Sequence, residues 1–230
     1  TVVKRKAVEW IQKKVIPAYM RWFCNRCDLV LAPSEGMQQM IKGYGVNTPI
    51  AVFPTGLDES FFRKNARRAQ EIRETCSRGK RHLLVTVSRL EKEKNYGFLL
   101  RGIAELERKM GEDFHVLIIG DGSQKAELKV RASILGIQDK VTFVGNIPND
   151  QVKDYLNAAD LFLFASKSET QGIVLAEALA AGTPVVAVHA VGSDDIIRNG
   201  ENGFLTAERE DEWAEKVIET LQAENLERMK

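Results

Sequence analysis

The sequence predicts an α/β protein built on a doubly wound parallel sheet, and three observations carry that expectation. Short apolar runs rich in Val, Ile, Leu and Phe recur without clear alternation, as expected of strands covered on both faces. Segments with helical spacing lie between them, as Phe98, Leu99, Ile103 and Leu106 illustrate. Strand and helix then alternate through the 230 residues, the pattern of a sheet with helices on both sides.

Taken in order, strands are expected at 28–32, 50–53, 83–88, 115–119, 141–143, 161–164 and 184–188, each a contiguous apolar stretch. Helices are expected at 96–109, 125–135, 150–159, 173–180 and 210–227, where apolar residues return every three or four positions. Cys24 and Cys27 read as two cysteines on an amphipathic helix rather than a metal or redox pair, having no second CxxC and no nearby histidine. The stretch 63–81, with eight basic residues against Glu71 and Glu74 after Pro54-Thr55-Gly56, reads as a charged connector.

Composition excludes several function classes. The chain is 44% apolar and 28% charged, which gives ample material for a core. A net charge of +1 argues against a nucleic-acid binder driven by bulk electrostatics. Three cysteines do not make a disulfide framework and point to a reducing, cytoplasmic compartment. No apolar run approaches the roughly 18–20 residues of a membrane span. Thr1 opens no signal peptide, and the lack of an initiator methionine leads us to expect a fragment.

In open α/β sheets, ligands bind outside the carboxyl ends of the strands. Four loops there hold unusual residues. After 83–88 comes Ser88-Arg89-Leu90-Glu91-Lys92-Glu93-Lys94-Asn95, where Arg89 and Lys94 stand at a helix mouth that already favours an anion; two cations suit a diphosphate better than one carboxylate. Gly120-Asp121-Gly122-Ser123 permits close backbone approach through Gly122, although no G-x-G-x-x-G and no G-x-x-x-x-G-K-[ST] occurs, which disfavours a nicotinamide dehydrogenase or P-loop enzyme. Gly145-Asn146-Ile147 offers backbone groups to a flat base edge.

The fourth loop, Ser168-Glu169-Thr170-Gln171-Gly172-Ile173-Val174-Leu175-Ala176-Glu177, holds two glutamates eight positions apart. On one continuous helix they would be separated by about 12 Å along the axis and about 80° around it. Carboxylates sharing a hydrolytic centre lie only roughly 5–9.5 Å apart. The pair is therefore suited to holding two ends of an elongated ligand, with Gly172, Ile173 and Val174 offering amides to a phosphate between them. A nucleotide sugar has that layout. Glu177, among apolar neighbours, then accepts from ribose hydroxyls. His115 and His189 have no evident partner in the sequence.

These motifs resemble retaining glycosyltransferases of family 4, which have the GT-B fold. The resemblance rests on S-x-x-E-T-Q-G-x-x-x-x-E (Ser166, Glu169, Thr170, Gln171, Gly172, Glu177) followed by Gly182-Thr183-Pro184. Arg89-x4-Lys94, Gly120-Asp121-Gly122, Val144-Gly145, Ala159-Asp160 and Asn199-Gly200-x-Asn202-Gly203-Phe204 stand in matching order, and the likeness covers roughly 27–206. Closer still, Asn25-x-Cys27-Asp28-Leu29-Val30-Leu31-Ala32-Pro33-Ser34 and Tyr44-Gly45-Val46-x-x-Pro49-Ile50 look like bacterial enzymes that glucosylate diacylglycerol.

The resemblance implies a hexosyltransferase using a UDP-sugar, with no metal and no other cofactor, and an acceptor such as diacylglycerol at an anionic membrane surface. Arg89, Lys94 and Glu169 become the catalytic set; Gly122, Ile147, Thr170, Gln171, Gly172, Ile173, Val174 and Glu177 become donor-binding. It also implies that 1–54 is the end of an N-terminal acceptor domain, 55–82 a hinge and basic connector, and 83–230 the C-terminal nucleotide-sugar domain. The basic, tryptophan-bearing segment 4–23 suits peripheral attachment to the inner face of the cell membrane. The Gly-rich loop and acceptor residues of the family's first domain are missing, so the chain alone is expected to bind donor weakly and turn over poorly or not at all. Two alternatives remain: a non-hydrolysing nucleotide-sugar epimerase, which needs no acceptor, and a non-catalytic nucleotide- or membrane-binding module.

Overall fold

The computed structural model describes residues 14–229, and these divide into two compact units with the break between Gly56 and Leu57. The first unit contains α1 (Ile16–Cys24), β1 (Val30–Ala32), α2 (Glu35–Gly43) and β2 (Ile50–Val52). Its strands pair in parallel, Val30 opposite Ile50 and Ala32 opposite Val52. Ser34 caps α2 by accepting from Met37 N at 3.2 Å. Cys24, Ala32, Ile41 and Val46 close a small core. The expectation of two helix-face cysteines holds for Cys24 only: α1 ends there, and Cys27 lies past it in the turn to β1.

The second unit opens with a short 3₁₀ turn (Glu59–Phe62). It runs α3 (Ala66–Cys76), β3 (His82–Val87), α4 (Tyr96–Met110), β4 (Phe114–Ile119), α5 (Lys125–Ile134), β5 (Val141–Gly145), α6 (Asn149–Ala158) and β6 (Leu161–Phe164). It continues through α7 (Ile173–Ala180), β7 (Val185–Val188), α8 (Val191–Asp194), β8 (Gly203–Thr206), α9 (Glu210–Leu221) and α10 (Ala223–Met229). All six strands are parallel in the order β5-β4-β3-β6-β7-β8. Connections run outward in both directions from the β3/β6 pair, which makes that pair the topological switch point.

Successive side chains along each strand feed opposite cores. Leu84, Val116, Ile118, Leu161, Leu163 and Val186 pack under α4, α5 and α9, where Phe98 meets Trp213 edge-on at a centroid distance of 6.3 Å. Leu83, Val85, Leu117, Ile119, Phe162 and Phe164 pack under α3, α6 and α7 with Ile72, Leu156 and Leu175. Both faces are covered, so the strands need no polar alternation.

Several elements differ from expectation. The charged stretch 63–81 contains α3, anchored by Arg73, which donates to Asp160 Oδ2 at 2.8 Å and to Ala158 O at 3.0 Å. Asp160 also accepts from Leu83 N at 2.9 Å, so the Ala159-Asp160 motif ties α3 to the start of β3. The helix expected over 210–227 breaks at Gln222, whose ψ of 134° is extended. The Asn199–Phe204 motif is the turn into the unforeseen β8: Asn199 Oδ1 accepts from Leu205 N at 2.6 Å and Asn202 Oδ1 from Arg198 N at 2.8 Å. His115 has a partner after all, Thr142 Oγ1 at 2.8 Å. Burial, with Arg78, Lys140 and Lys80 nearby, pulls its imidazole down to about 4, so it is neutral at neutral pH.

Candidate active site

The carboxyl ends of β3, β4 and β5 are stitched together by backbone. Ser88 N donates to Ile119 O at 3.1 Å, Leu90 N to Asp121 O at 2.9 Å, and Gly120 N to Gly145 O at 2.8 Å. The loop after β3 lies directly on the two glycines that follow β4. A Cβ on Gly120 would sit 2.0 Å from Ser88 O, and one on Gly122 2.5 Å from Leu90 O. Gly122 thus already has a close backbone neighbour within the protein. Glu91 pins the arrangement by accepting from Ser123 N at 2.9 Å and Ser123 Oγ at 2.6 Å, and these bonds hold its carboxyl below the usual range.

The same β3 loop reaches across the switch point. A 3₁₀ turn (Lys92–Lys94) ends at Asn95, whose left-handed backbone (φ 57°, ψ 35°) redirects the chain into α4. Glu93 O accepts from Lys167 N at 3.2 Å and from Ser166 Oγ at 3.4 Å. Lys94 then forms an ion pair with Glu169, two residues 75 positions apart, on loops that follow adjacent strands. Their side chains are only 15% and 14% exposed.

Glu169 is held from below by the loop after β7. Gly192 N donates to Glu169 O at 3.2 Å, and a Cβ on Gly192 would come within 2.9 Å of Gln171 N. Gly172 takes a left-handed conformation (φ 70°, ψ 39°) to start α7 and provides no side-chain cap. The first amides of a helix have no acceptor within it, and here those are Ile173 and Val174. Four residues on, Glu177 lies on the same face of α7 as Ile173. No side chain among the described residues donates to its carboxylate, and half-burial pushes its pKa up.

The expected residues are therefore not all in mutual contact. Lys94 and Glu169 meet directly. Arg89 is on the same loop but 74% exposed, pairing with Glu93 at 3.4 Å, so it stands at the rim. Thr170 is exposed and Gln171 half-buried between Glu169 and Gly172. Ile147 follows β5 with its side chain packed against the core under α6. The helix expected over 173–180 is present as Ile173–Ala180, so Glu169 lies on the loop before it and Glu177 within it. Gly192 and the Glu91–Ser123 pair were not read from the sequence; a glycine just past β7 was the available signal. His189, also past β7, pairs with Asp194 Oδ1 at 3.0 Å, which corrects the reading that it has no partner.

The profile described as Glycosyl transferases group 1 matches residues 67–230. The chain belongs to that family. The profile of Glycosyltransferase Family 4 matches residues 3–61 of this group 1 chain. It is similar to alpha-monoglucosyldiacylglycerol synthase of Streptococcus pneumoniae, 34% identical over 182 residues, covering 77% of this chain and 41% of that protein. It is also similar to D-inositol 3-phosphate glycosyltransferase of Rhodococcus opacus, 36% identical over 195 residues, covering 81% of this chain and 43% of that protein. The chain thus spans about two fifths of the length of these relatives. Among solved structures it superposes on Anabaena HepE in complex with UDP and glucose, with TM-score 0.80 and 24% identity over 90% of this chain and 57% of that one. It also superposes on WaaG, a glycosyltransferase of lipopolysaccharide biosynthesis, with TM-score 0.74 and 23% identity over 86% and 55%. The fold of this group 1 chain is that of the GT-B glycosyltransferases.

Proposed function

We propose that the full-length protein transfers a hexose from a UDP-sugar to a hydroxyl of a glycerolipid, with retention at the anomeric carbon. One observation carries the reading: Lys94 meets Glu169 across the switch point, and Glu169 stands on the loop that leads into α7 with its uncapped first amides and the Glu177 carboxylate. In this reading Lys94, the amides of Ile173 and Val174, and Arg89 swinging in from the rim neutralise the diphosphate without a metal. They stabilise the charge that develops on the leaving oxygen as its bond to the anomeric carbon breaks. Glu169 accepts from sugar hydroxyls, with Thr170 and Gln171 beside it. Glu177 accepts from the ribose. Gly122 and the backbone of Ile147 border the nucleoside. The names of the relatives support a UDP-sugar donor and a glycolipid product: one is a monoglucosyldiacylglycerol synthase, and HepE holds UDP and glucose.

A peripheral place on the inner face of an anionic membrane belongs to the same proposal. Tyr19, Trp22 and Phe23 are each about half exposed on α1, Tyr19 stacks on both Trp22 and Phe23, and Arg26 lies over the Trp22 ring at 4.1 Å. No helix among the described residues is long and apolar enough to cross a membrane. The remaining domain assignments stand within the proposal: 1–54 contributes to an acceptor domain, 55–82 links, and 83–230 binds donor. The chain alone should bind nucleotide and turn over poorly or not at all.

Calorimetric titration with UDP tests the site. Glu177→Gln and Arg89→Ala should each weaken UDP binding at least about tenfold, a loss of roughly 1.4 kcal/mol. Glu177→Gln should do so without loss of stability. The fold disfavours ionised Glu177, a penalty absent well below pH 4.5 that grows as pH rises through that value. The variant's melting temperature should therefore equal or exceed the wild type's at pH 7, with the gap closing toward pH 4. Unchanged UDP affinity in both variants would end the assignment.

A further inference from the structure

We propose that Glu169 is an exchangeable counter-ion for Lys94, and that this makes the site prefer a nucleoside diphosphate still carrying its sugar over the free nucleoside diphosphate. The inference rests on the donor-site reading above and adds a basis for selectivity to it. The sheltered Lys94–Glu169 pair is costly to break unless both charges find new partners. Lys94 can give its charge to a phosphate. Glu169 is then left as an unpaired carboxylate beside an anion, in a place with little water.

The two ligands differ in what they offer Glu169. A sugar attached to the diphosphate presents hydroxyl hydrogens, so both halves of the old ion pair are satisfied at once. A free nucleoside diphosphate satisfies Lys94 only and leaves the carboxylate in electrostatic conflict. Once the sugar has left, Glu169 has lost its donors and competes for Lys94 again, which loosens the hold on the diphosphate. The supports make this exchange local. Glu169 is fixed through its backbone by Gly192, and the Lys94 loop through Glu93 O, so only two side-chain ends need to turn.

The probes are UDP and UDP-glucose, titrated by calorimetry into the 230-residue chain. Glu169→Gln keeps the shape and removes the competing charge. It should tighten UDP at least about fivefold while leaving UDP-glucose no tighter, so the preference for the sugar-bearing ligand falls at least about fivefold. Glu169→Asp shortens the reach of the carboxylate and should tighten UDP by a smaller factor; it also serves as the second variant should Glu169→Gln melt early. UDP affinity at or below wild type in both variants, with Lys94→Ala still weakening UDP, would overturn the counter-ion role and leave the donor site standing. UDP affinity indifferent to Lys94→Ala would instead remove the donor site itself.

Discussion

Lys94→Ala should weaken UDP binding by about 30- to 100-fold, the worth of roughly 2–3 kcal/mol for a charge-assisted bond to phosphate. The same change should lower stability. Removing one partner of a fully buried ion pair costs about 3–5 kcal/mol because the other charge is left stranded. Here both side chains keep some solvent contact (15% and 14% exposed), which reduces the expected cost to about 1–3 kcal/mol. The two effects are separable. Adding Glu169→Gln to Lys94→Ala removes the stranded charge and should restore most of the melting temperature. It should restore only a minor part of the UDP affinity: the repulsion from the carboxylate is gone, but the phosphate has still lost its cation. Thermal denaturation and calorimetry on the three variants check both halves.

Gly120→Ala should be among the most damaging single changes in the chain. A methyl there lands 2.0 Å from Ser88 O, on backbone that cannot rotate away, and the φ of 127° strains any residue with a side chain. A cost of about 3 kcal/mol or more is expected, or roughly 6–12 °C in melting temperature for a unit this size. Nucleotide affinity should fall with it, since the displaced backbone is the loop that carries Arg89 and Lys94. Gly136→Ala is the control. Its φ of 73° is also left-handed, but nothing lies within 4 Å of the added carbon, so it should cost about 1 kcal/mol and leave UDP binding intact. Equal losses in the two variants would mean that backbone conformation, rather than the loop lying on Gly120, governs the position.

What could be read from residues alone follows from where the information resides. The strands from β3 to β7 are covered on both faces, so each is a contiguous apolar run visible in the sequence. β8 escaped notice because it is four residues long, begins with glycine and leaves an Asn-Gly turn. α3 looked like a connector because a single residue, Ile72, is buried among charged neighbours, too little for a helical period to register. α8, with four residues, has no period to find. The loops that hold the candidate residues were legible because the carboxyl-end rule says where ligands bind in such sheets. Their partnerships were not. The Lys94–Glu169 pair joins positions 75 apart, the His115–Thr142 contact joins adjacent strands, and Gly192 under Glu169 depends on the path of the β7 loop. Gly122 was expected to serve a ligand, and the geometry adds that the protein's own Leu90 backbone already requires glycine there.

The central claim is that separate loops at the β3/β6 switch point form one diphosphate cradle. Backbone amide shifts of the ¹⁵N-labelled chain, followed as UDP is added, test it most directly. The account predicts that the largest shifts fall together on Ile173, Val174, Gly122, Ile147 and Lys94, saturating with a single dissociation constant. Shifts confined to one of these loops, or centred on the opposite strand ends near Arg73 and Asp160, would contradict it.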